Sequence, residues 1–487
     1  MKSTKDMKNI MVKINGGKTM TEEIIGKSAG GEWPVNEYTR NEGDIGKKRI
    51  VFIGASYLFV HRVLRDMLIV GGFNNVHIVV HDIDEVPMNI VADLLEKIVR
   101  QKKTNIKIFR TLDRKEALKD ADAVILSITT GGREADVRSA EVCAKYGIPV
   151  GIGDTMGPAA FARNLRTVPV VVEIARDMEK ICPNAVLLNF SNPMSCITGA
   201  IAGMSNIPVF GLCHSADGLF YYFSKVFGCK KSEVEMKIAG VNHQAFVTKL
   251  MIEGKDRTKD ILKATRKSDA MFEDHLLAVK KENTNLQQDI YKILGVWPST
   301  GHTHLAEFYE YFFTERRMDD LDLRSHTFKI TPGRKLIGRK PCPEIIHEWA
   351  YEPEPVGDLH LLTDEHAHEL LWAWFTGEPF TRSLNVLNTE EYIKGIPKNA
   401  CVEIMATVSG RKIRAEQIEL PPVVLSRVHR WTAIHDLSIK AAIECDRDAA
   451  RQALFLDAHV RDMYDIDPML DDFIKVLDEW MPAGWKK

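Results

Sequence analysis

Short apolar runs alternate with helix-compatible segments from residue 49 onward. The continuous apolar runs predict strands buried on both faces at 50–53, 76–80, 106–109, 123–126, 185–188 and 208–212. The segments between them predict helices at 58–70, 86–102, 112–119, 169–181 and 195–204. Strands that alternate with helices in this way favour an α/β fold with a Rossmann-type, doubly wound parallel sheet.

The alternation fades after about residue 245, where longer helices are predicted at 284–294 and 433–460. We therefore predict three regions. Residues 1–48 form an N-terminal extension, residues 49–210 form the Rossmann domain, and residues 211–487 form a mixed α+β C-terminal domain.

Composition narrows the class of partner. The 487 residues carry a formal net charge of −2, which gives no basis for electrostatic capture of nucleic acid or an anionic membrane. No apolar run reaches the length of a transmembrane helix, and the N-terminus lacks the apolar core of a signal peptide. None of the eight cysteines forms a CxxC pair, so a reducing cytoplasm is expected.

The first strand–helix turn predicts a dinucleotide site. Gly54 and Ser56 lie where a pyrophosphate would approach the helix N-terminus, and Asp82 closes the second strand. A carboxylate there would accept hydrogen bonds from a ribose and repel a 2′-phosphate, which favours NAD over NADP. Thr129 begins a Thr-Thr-Gly-Gly segment where such folds open their ligand crevice. The full G-x-G-x-x-G pattern is absent, so an ordinary strand–turn–helix remains an alternative.

Cys213 and His243 are the candidate metal ligands. Cys213 follows the strand predicted at 208–212, and His243 lies thirty residues further on in Ala-Gly-Val-Asn-His. A thiolate and an imidazole can hold a divalent metal and leave coordination positions open for a substrate diol. Taken singly, each is more commonly a buried thiol or a hydrogen-bonded core imidazole.

A Gly- and Pro-punctuated segment supplies further polar candidates. Asp154 and Arg163 are placed to bind sugar hydroxyls or a substrate carboxylate, near the start of another helix. For Thr155 and Arg166, a helix cap and a surface ion pair are the favoured interpretations.

Several motifs together resemble those of glycoside hydrolase family 4, the NAD- and Mn²⁺-dependent glycosidases related in fold to lactate and malate dehydrogenases. The resemblance covers roughly residues 49–475 and rests on VFIGAS, HDID, GDTMGPAAFARNLRTVP, NFSNPM, GLCHS, AGVNH and the segment 420–457.

The resemblance implies roles for individual residues. Cys213 and His243 would hold Mn²⁺, and Asn192 would lie between the nicotinamide and the sugar. His214 and Asp154 would line the substrate pocket, with Asp154 a candidate acid for the leaving group. The Cys-His-Ser sequence is typical of members acting on unphosphorylated α-galactosides and α-galacturonides, so a small glycoside is the expected substrate.

The implied chemistry departs from the usual two-carboxylate route. NAD⁺ would oxidise the sugar at C3, the metal would polarise the ketone, a base would remove the C2 proton, and the aglycone would leave before water adds. Many members supply a tyrosine base where this chain has Phe308. Tyr309 is the leading substitute; Tyr311, Glu307 or a metal-bound hydroxide are alternatives, as is loss of the elimination step. His302 and His304 are expected in a loop, with at most one of the two facing the substrate.

Two other functions remain open from the sequence. One is an NAD-dependent sugar or hydroxy-acid dehydrogenase, and the other is a nucleotide-binding protein without turnover. The resemblance also implies a homodimer or homotetramer formed through the C-terminal half.

Overall fold

The computed structural model describes residues 43–57, 59–267, 286–312, 342–357 and 359–486. Most of the predicted N-terminal extension, residues 1–42, lies outside the described residues. The strands are β1 Arg49–Ile53, β2 His77–His81, β3 Lys107–Thr111, β4 Ala123–Leu126, β5 Val186–Asn189, β6 Val209–Gly211, β7 Val234–Val241, β8 Gln244–Ile252, β9 Lys255–Asp256, β10 Trp297–Pro298, β11 Phe380–Leu387, β12 Cys401–Ser409 and β13 Lys412–Arg414.

The helices of the described residues cover both faces of the sheet. They are α1 Val60–Val70, α2 Glu85–Lys102, α3 Arg114–Leu118, α4 Gly132–Lys145, α5 Gly157–Ile181, α6 Met194–Met204, α7 Ser215–Phe227, α8 Ile261–Thr265, α9 Leu286–Leu294, α10 His302–Glu307, α11 Glu344–Tyr351, α12 Ala367–Thr376, α13 Pro422–Glu444, α14 Arg447–Leu456 and α15 Ile466–Val476. None of these helices combines the length and the apolar character needed to cross a bilayer.

The N-terminal half confirms the predicted Rossmann-type sheet. Its six parallel strands lie in the order β3-β2-β1-β4-β5-β6, which is the order of a doubly wound dinucleotide-binding fold. The central strands read as apolar runs because helices bury both of their faces; every residue of β4 and β5 is buried. The chain order reverses between β1 and β4, which opens a crevice at their carboxyl ends.

The same sheet continues into the C-terminal half. β11 pairs antiparallel with β6, and β12, β7, β8 and β10 follow outward in that order. Gly211, Asn385, Glu403 and Gly240 form one row across four neighbouring strands. The predicted boundary after residue 210 therefore falls inside β6, within a sheet that both halves share.

Two helix predictions differ from the structure in their bounds, and several helices, α4 among them, were not predicted. The segment predicted as one helix over 433–460 forms α13 and α14, because Cys445 adopts a left-handed conformation with φ 53° and ends the first of them. Pro169 lies inside α5 rather than at its start, and the helix begins twelve residues earlier at Gly157. α4 was not predicted, since its exposed face carries most of its charged residues and its apolar pattern is weak.

A substitution at Gly54 tests whether the turn after β1 is as tight as the structure shows. Its φ of 99° disfavours any side chain, and a Cβ would lie 2.1 Å from the Ser127 carbonyl oxygen. We expect Gly54→Ala to lower the free energy of unfolding by several kcal/mol, since about 1–2 kcal/mol comes from the positive φ alone and the backbone clash adds to it. Urea unfolding would measure the loss.

Gly147→Ala is the matched control for that substitution. Gly147 has a φ of 69°, but a Cβ there would meet no atom within 4 Å. It should therefore show only the conformational cost. Equal losses in the two variants would contradict the close approach of the β1 turn to Ser127.

Candidate metal and substrate centre

Cys213 and His243 meet although thirty residues separate them. The Cys213 sulfur lies 3.2 Å from His243 Nε2, and both residues are buried, at 8% and 3% exposure. Burial raises the pKa of the Cys213 thiol to about 12, so the thiol stays protonated at neutral pH unless a cation compensates its charge. Burial, and then the neighbouring His304 ring, lowers the pKa of His243, which keeps the imidazole neutral and able to act as a ligand.

A two-residue turn between β7 and β8 positions His243. Its φ is 62°, a left-handed conformation that the surroundings must hold in place. The neighbouring Asn242 provides the anchor: its backbone N–H donates to Ser195 Oγ at 3.3 Å, and its side-chain amide donates to Glu403 at 3.3 Å. The turn that carries the imidazole is thus anchored to α6 and to β12.

Glu403 was missed by sequence reasoning. It is fully buried on β12, and its other carboxyl oxygen accepts from Ser383 Oγ at 2.8 Å. Burial raises its pKa to about 7, although the hydrogen bonds from Ser383 and Asn242 lower it. The detectable sign in the sequence was a single acid between Val402 and Ile404 inside an apolar strand.

Asp154 and Thr155 lie directly beside the imidazole. Thr155 Oγ1 is 2.9 Å from His243 Nδ1 and donates to Asp154 Oδ1 at 2.8 Å. Thr155 is buried and precedes α5 by two residues, so the predicted cap role is wrong. Burial acts to raise the pKa of Asp154, but the nearby His304 and Arg163 charges outweigh it and lower the pKa to about 2. Both Asp154 oxygens accept hydrogen bonds, Oδ1 from Thr155 and Oδ2 from Asn192, as those of a carboxylate do.

His304 completes a cluster of three candidate ligands. It lies on the short helix α10 rather than in the expected loop, and its ring packs on that of His243 with centroids 3.9 Å apart. Donor atoms of Asp154, His243 and His304 all lie within 4.8 Å of one another. Two imidazoles and a carboxylate at this spacing can hold a divalent cation, and Cys213 meets this group only through His243.

Glu307 holds the Asp154 loop. Its Oε1 accepts the backbone N–H groups of Ile152 at 2.5 Å and Gly153 at 2.6 Å. Its buried Oε2 lies 3.5 Å from His304 Nδ1 and accepts no hydrogen bond from the described residues. A carboxylate in this position can orient the His304 ring and stabilise a proton on Nδ1.

Arg163 and Arg166 share a carboxylate that sequence reasoning missed. Arg163 Nε donates to Asp136 Oδ1 at 3.1 Å, and Arg166 Nη2 donates to the same oxygen at 2.6 Å. Arg166 also donates to the Thr130 carbonyl at 2.8 Å, and its side chain is fully buried, so the expected surface pair is wrong. Burial lowers the pKa of Arg166 to about 10. Arg163 is only 8% exposed and already paired, which limits its contact with a substrate.

Asn192 and His214 face the cluster from the parallel half of the sheet. Asn192 Nδ2 donates to Asp154 Oδ2 at 3.0 Å, while its buried Oδ1 has no partner among the described residues. That orphaned acceptor fits a ligand hydroxyl or amide. His214 is exposed at the start of α7, directly after Cys213. Both predicted substrate residues therefore lie next to the candidate metal ligands.

The predicted cofactor residues border the crevice between β1 and β4. Asp82 Oδ2 accepts the Ala55 N–H at 2.8 Å, which ties the end of β2 to the Gly54–Ser56 turn. Each Asp82 oxygen accepts one backbone N–H and keeps capacity for a ribose hydroxyl. Thr129 is exposed after β4, beside Gly131 in a left-handed conformation. Gly54, Asp82 and Thr129 therefore lie at the carboxyl ends of β1, β2 and β4, the edge at which such folds bind dinucleotides.

Tyr309 contacts Gln244, the residue that follows His243, and not His243 itself. Its hydroxyl donates to Gln244 Oε1 at 3.2 Å, and its ring packs against Phe312, Trp431 and the guanidinium of Arg427. The residue is 1% exposed, and burial raises its pKa. These contacts make Tyr309 a weak proton acceptor at neutral pH.

Comparison with known proteins shows the family to which this fold and this thiol–imidazole pair belong. Residues 49–228 match the model of family 4 glycosyl hydrolases, and residues 238–460 match the C-terminal domain of the same family. The chain belongs to family 4 of the glycosyl hydrolases, as its motifs predicted.

Relatives with stated activities span most of the chain. An alpha-galactosidase of Bacillus subtilis is 30% identical over 447 residues, covering 89% of this chain and 99% of the relative. An alpha-galacturonidase of Thermoanaerobacterium saccharolyticum is 28% identical over 416 residues, covering 75% and 82%. The crystal structure of a 6-phospho-alpha-glucosidase from gut microorganisms, in complex with NAD and Mn²⁺, superposes with a TM-score of 0.73 at 18% identity, covering 90% and 99%. The comparison with that crystal structure shows that the two proteins share a fold.

Asp136→Asn tests the buried arginine pair. The substitution leaves two buried guanidinium groups without their shared counter-charge, so we expect a loss of about 3–5 kcal/mol in the free energy of unfolding. Urea denaturation followed by circular dichroism would measure it.

Asp472→Asn serves as the matched control. Asp472 pairs with Lys145, whose side chain is 62% exposed, so the loss should be about 0.2–1 kcal/mol. A loss of that small size for Asp136→Asn as well would contradict the structural role of Asp136.

Proposed function

We propose that this chain is a glycosidase that cleaves an unphosphorylated α-galactoside or α-galacturonide with the help of NAD and Mn²⁺. The observation that carries the proposal is the 3.2 Å approach of Cys213 Sγ to His243 Nε2, with Asn192 joined to the same cluster through Asp154. A metal at the thiol and imidazole would then lie next to the crevice where a nicotinamide is expected.

The chemistry of the side chains supports both groups: a thiol and an imidazole can hold a divalent metal, and a carboxylate at the end of β2 can bind a ribose. Cys213 Sγ and His243 Nε2 would hold Mn²⁺; Gly54, Ser56, Asp82 and Thr129 would border NAD. When bound, the two groups would supply reversible oxidation of a sugar carbon and Lewis-acid polarisation of the resulting carbonyl. The orphaned Asn192 Oδ1 supports a ligand between them.

The substrate class rests on Cys213-His214-Ser215 and on the relatives. The Bacillus subtilis and Thermoanaerobacterium relatives are an alpha-galactosidase and an alpha-galacturonidase. The exposed imidazole of His214 would contact the sugar. Arg163 would act mainly through charge, since its guanidinium is already bound to Asp136.

We assign the C2 proton acceptor to His304, supported by Glu307. Glu307 Oε2 lies 3.5 Å from His304 Nδ1, so the carboxylate would stabilise a proton there while Nε2 accepts the substrate proton. This arrangement would replace the tyrosine that Phe308 does not provide. Tyr309 would position Gln244, the residue after His243.

Cofactor dependence tests the proposed function. We expect p-nitrophenyl α-galactoside or α-galacturonide to be cleaved with NAD⁺ and Mn²⁺ under a thiol reductant. Removing either component by EDTA or gel filtration should abolish release of nitrophenol, and C2–H of the substrate should exchange with deuterated solvent. Unchanged hydrolysis without NAD⁺ and metal would contradict the proposal.

Glu307→Gln tests the base assignment. The amide cannot stabilise a protonated His304, so we expect kcat to fall by about 10²–10⁴-fold, as for loss of general base catalysis. NAD binding, measured by fluorescence titration, should be retained. Tyr309→Phe is the comparison variant and should change kcat far less. The reverse pattern would assign the base to Tyr309, as the sequence first suggested.

Phe308 favours a second candidate function, a sugar dehydrogenase. A phenylalanine ring cannot accept the C2 proton. The side chain is 3% exposed and packs edge-on against Trp431. A dehydrogenase would accumulate NADH in proportion to substrate without releasing the aglycone, whereas the proposed glycosidase returns its hydride and accumulates none.

A further inference from the structure

A continuous hydrogen-bonded chain ends at the candidate metal ligands. Asn192 Nδ2 donates to Asp154 Oδ2 at 3.0 Å, and Asp154 Oδ1 accepts from Thr155 Oγ1 at 2.8 Å. Thr155 Oγ1 lies 2.9 Å from His243 Nδ1, whose other ring nitrogen faces Cys213 Sγ at 3.2 Å. The chain joins segments that are 88 residues apart between Thr155 and His243.

Counting protons along this chain fixes the direction of each bond. A threonine hydroxyl has one hydrogen and two lone pairs. Asp154 accepts at both oxygens, as an ionised carboxylate does, so the Thr155 hydrogen points to Asp154. The contact with His243 must then be donated by the ring, which places its proton on Nδ1. The remaining nitrogen, Nε2, carries a lone pair directed at the thiol.

We propose that Thr155 is a positioning residue, whose hydroxyl holds His243 in the Nδ1–H tautomer and presents the Nε2 lone pair to a divalent cation beside Cys213. The inference rests on the metal site of the proposed function. It assigns Asp154 the role of orienting Thr155, in place of the acid role expected from the sequence. A partner that fixes the tautomer of a metal-binding histidine typically contributes 10–100-fold to metal affinity.

Thr155→Val removes the hydroxyl and keeps the shape. Thr155 is 4% exposed, so the isosteric valine should retain the packing of this buried position. Thr155→Ser restores the hydroxyl on a smaller side chain. Thr167→Val is a matched control, because Thr167 is fully buried on α5 and its hydroxyl has no partner among the described residues.

The first test reads the tautomer without metal. Long-range ¹H–¹⁵N spectra of ¹⁵N-histidine-labelled apoprotein distinguish Nδ1–H from Nε2–H imidazole, and a His243→Asn sample assigns the signal. We expect Nδ1–H in the wild type, Thr155→Ser and Thr167→Val, and loss of that form in Thr155→Val. An Nε2–H ring in the wild type, or no change in Thr155→Val, would overturn the proposal.

The second test measures Mn²⁺ itself. Titration of the full-length apoprotein with MnCl₂, followed by the electron paramagnetic resonance signal of free Mn²⁺, gives Kd. We expect Thr155→Val to raise Kd by 10–100-fold, with Thr155→Ser and Thr167→Val within about threefold of the wild type. Equal Kd values for Thr155→Val and the wild type would overturn the positioning role.

The two measurements also separate this inference from the proposed function. A wild type that binds Mn²⁺ tightly but cleaves no glycoside would refute the proposed activity, while the effect of Thr155→Val on Kd would still support the positioning role. A wild type with no affinity for Mn²⁺ would overturn both. Circular dichroism melts of Thr155→Val and Thr167→Val, compared directly, show whether a lost Kd reflects the missing hydroxyl or a misfolded chain.

Discussion

The approach of a thiol to an imidazole, across two intervening strands, is the constraint on which the site depends. Gly211 and Gly240 lie in one row of the sheet, with Asn385 and Glu403 between them. Such strands are about 4.8 Å apart, so the ligand loops start more than 10 Å from each other and must converge over the sheet. The strands between them hold both loops: Arg382 of β11 donates to the Cys213 carbonyl at 3.5 Å, and Glu403 of β12 binds the Asn242 side chain. A Cβ on Gly211 would lie within 3 Å of Met194 and Asn385, so a larger residue does not fit at this end of the row.

The buried arginine side chains around this centre are paired with buried or half-buried carboxylates. Arg163 and Arg166 lie against Asp136, while Arg382 lies against Asp217. Burial raises the pKa of Asp217, and the Arg382 charge opposes that shift. Removing one member of such a group leaves its partner as an unpaired charge in a low-dielectric interior. The free-energy cost of burying the complete group is far smaller. These ion pairs therefore fix the segments around an imidazole that is itself neutral.

Local sequence patterns predicted the parallel half of the sheet to within a residue or two, because buried strands and amphipathic helices each have their own period. They also singled out Cys213, His243, Asn192 and Asp154, since the motifs are contiguous. Patterns of this kind do not show pairing between distant segments. Thr155 contacts His243, and Glu403 is buried against Asn242, only because the fold brings distant segments together. A local pattern in the sequence cannot predict either contact. The helix predicted over 169–181 begins at Gly157 instead, and α5 continues through Pro169.

The position of His243 depends on the length of the hairpin that carries it. Only Asn242 and His243 join β7 to β8, and side chains of a strand alternate between faces. Adding or deleting a single residue at this connection would turn the imidazole away from the thiol, whatever residue were added. The number of residues in this connection therefore decides whether the imidazole and the thiol can meet at all.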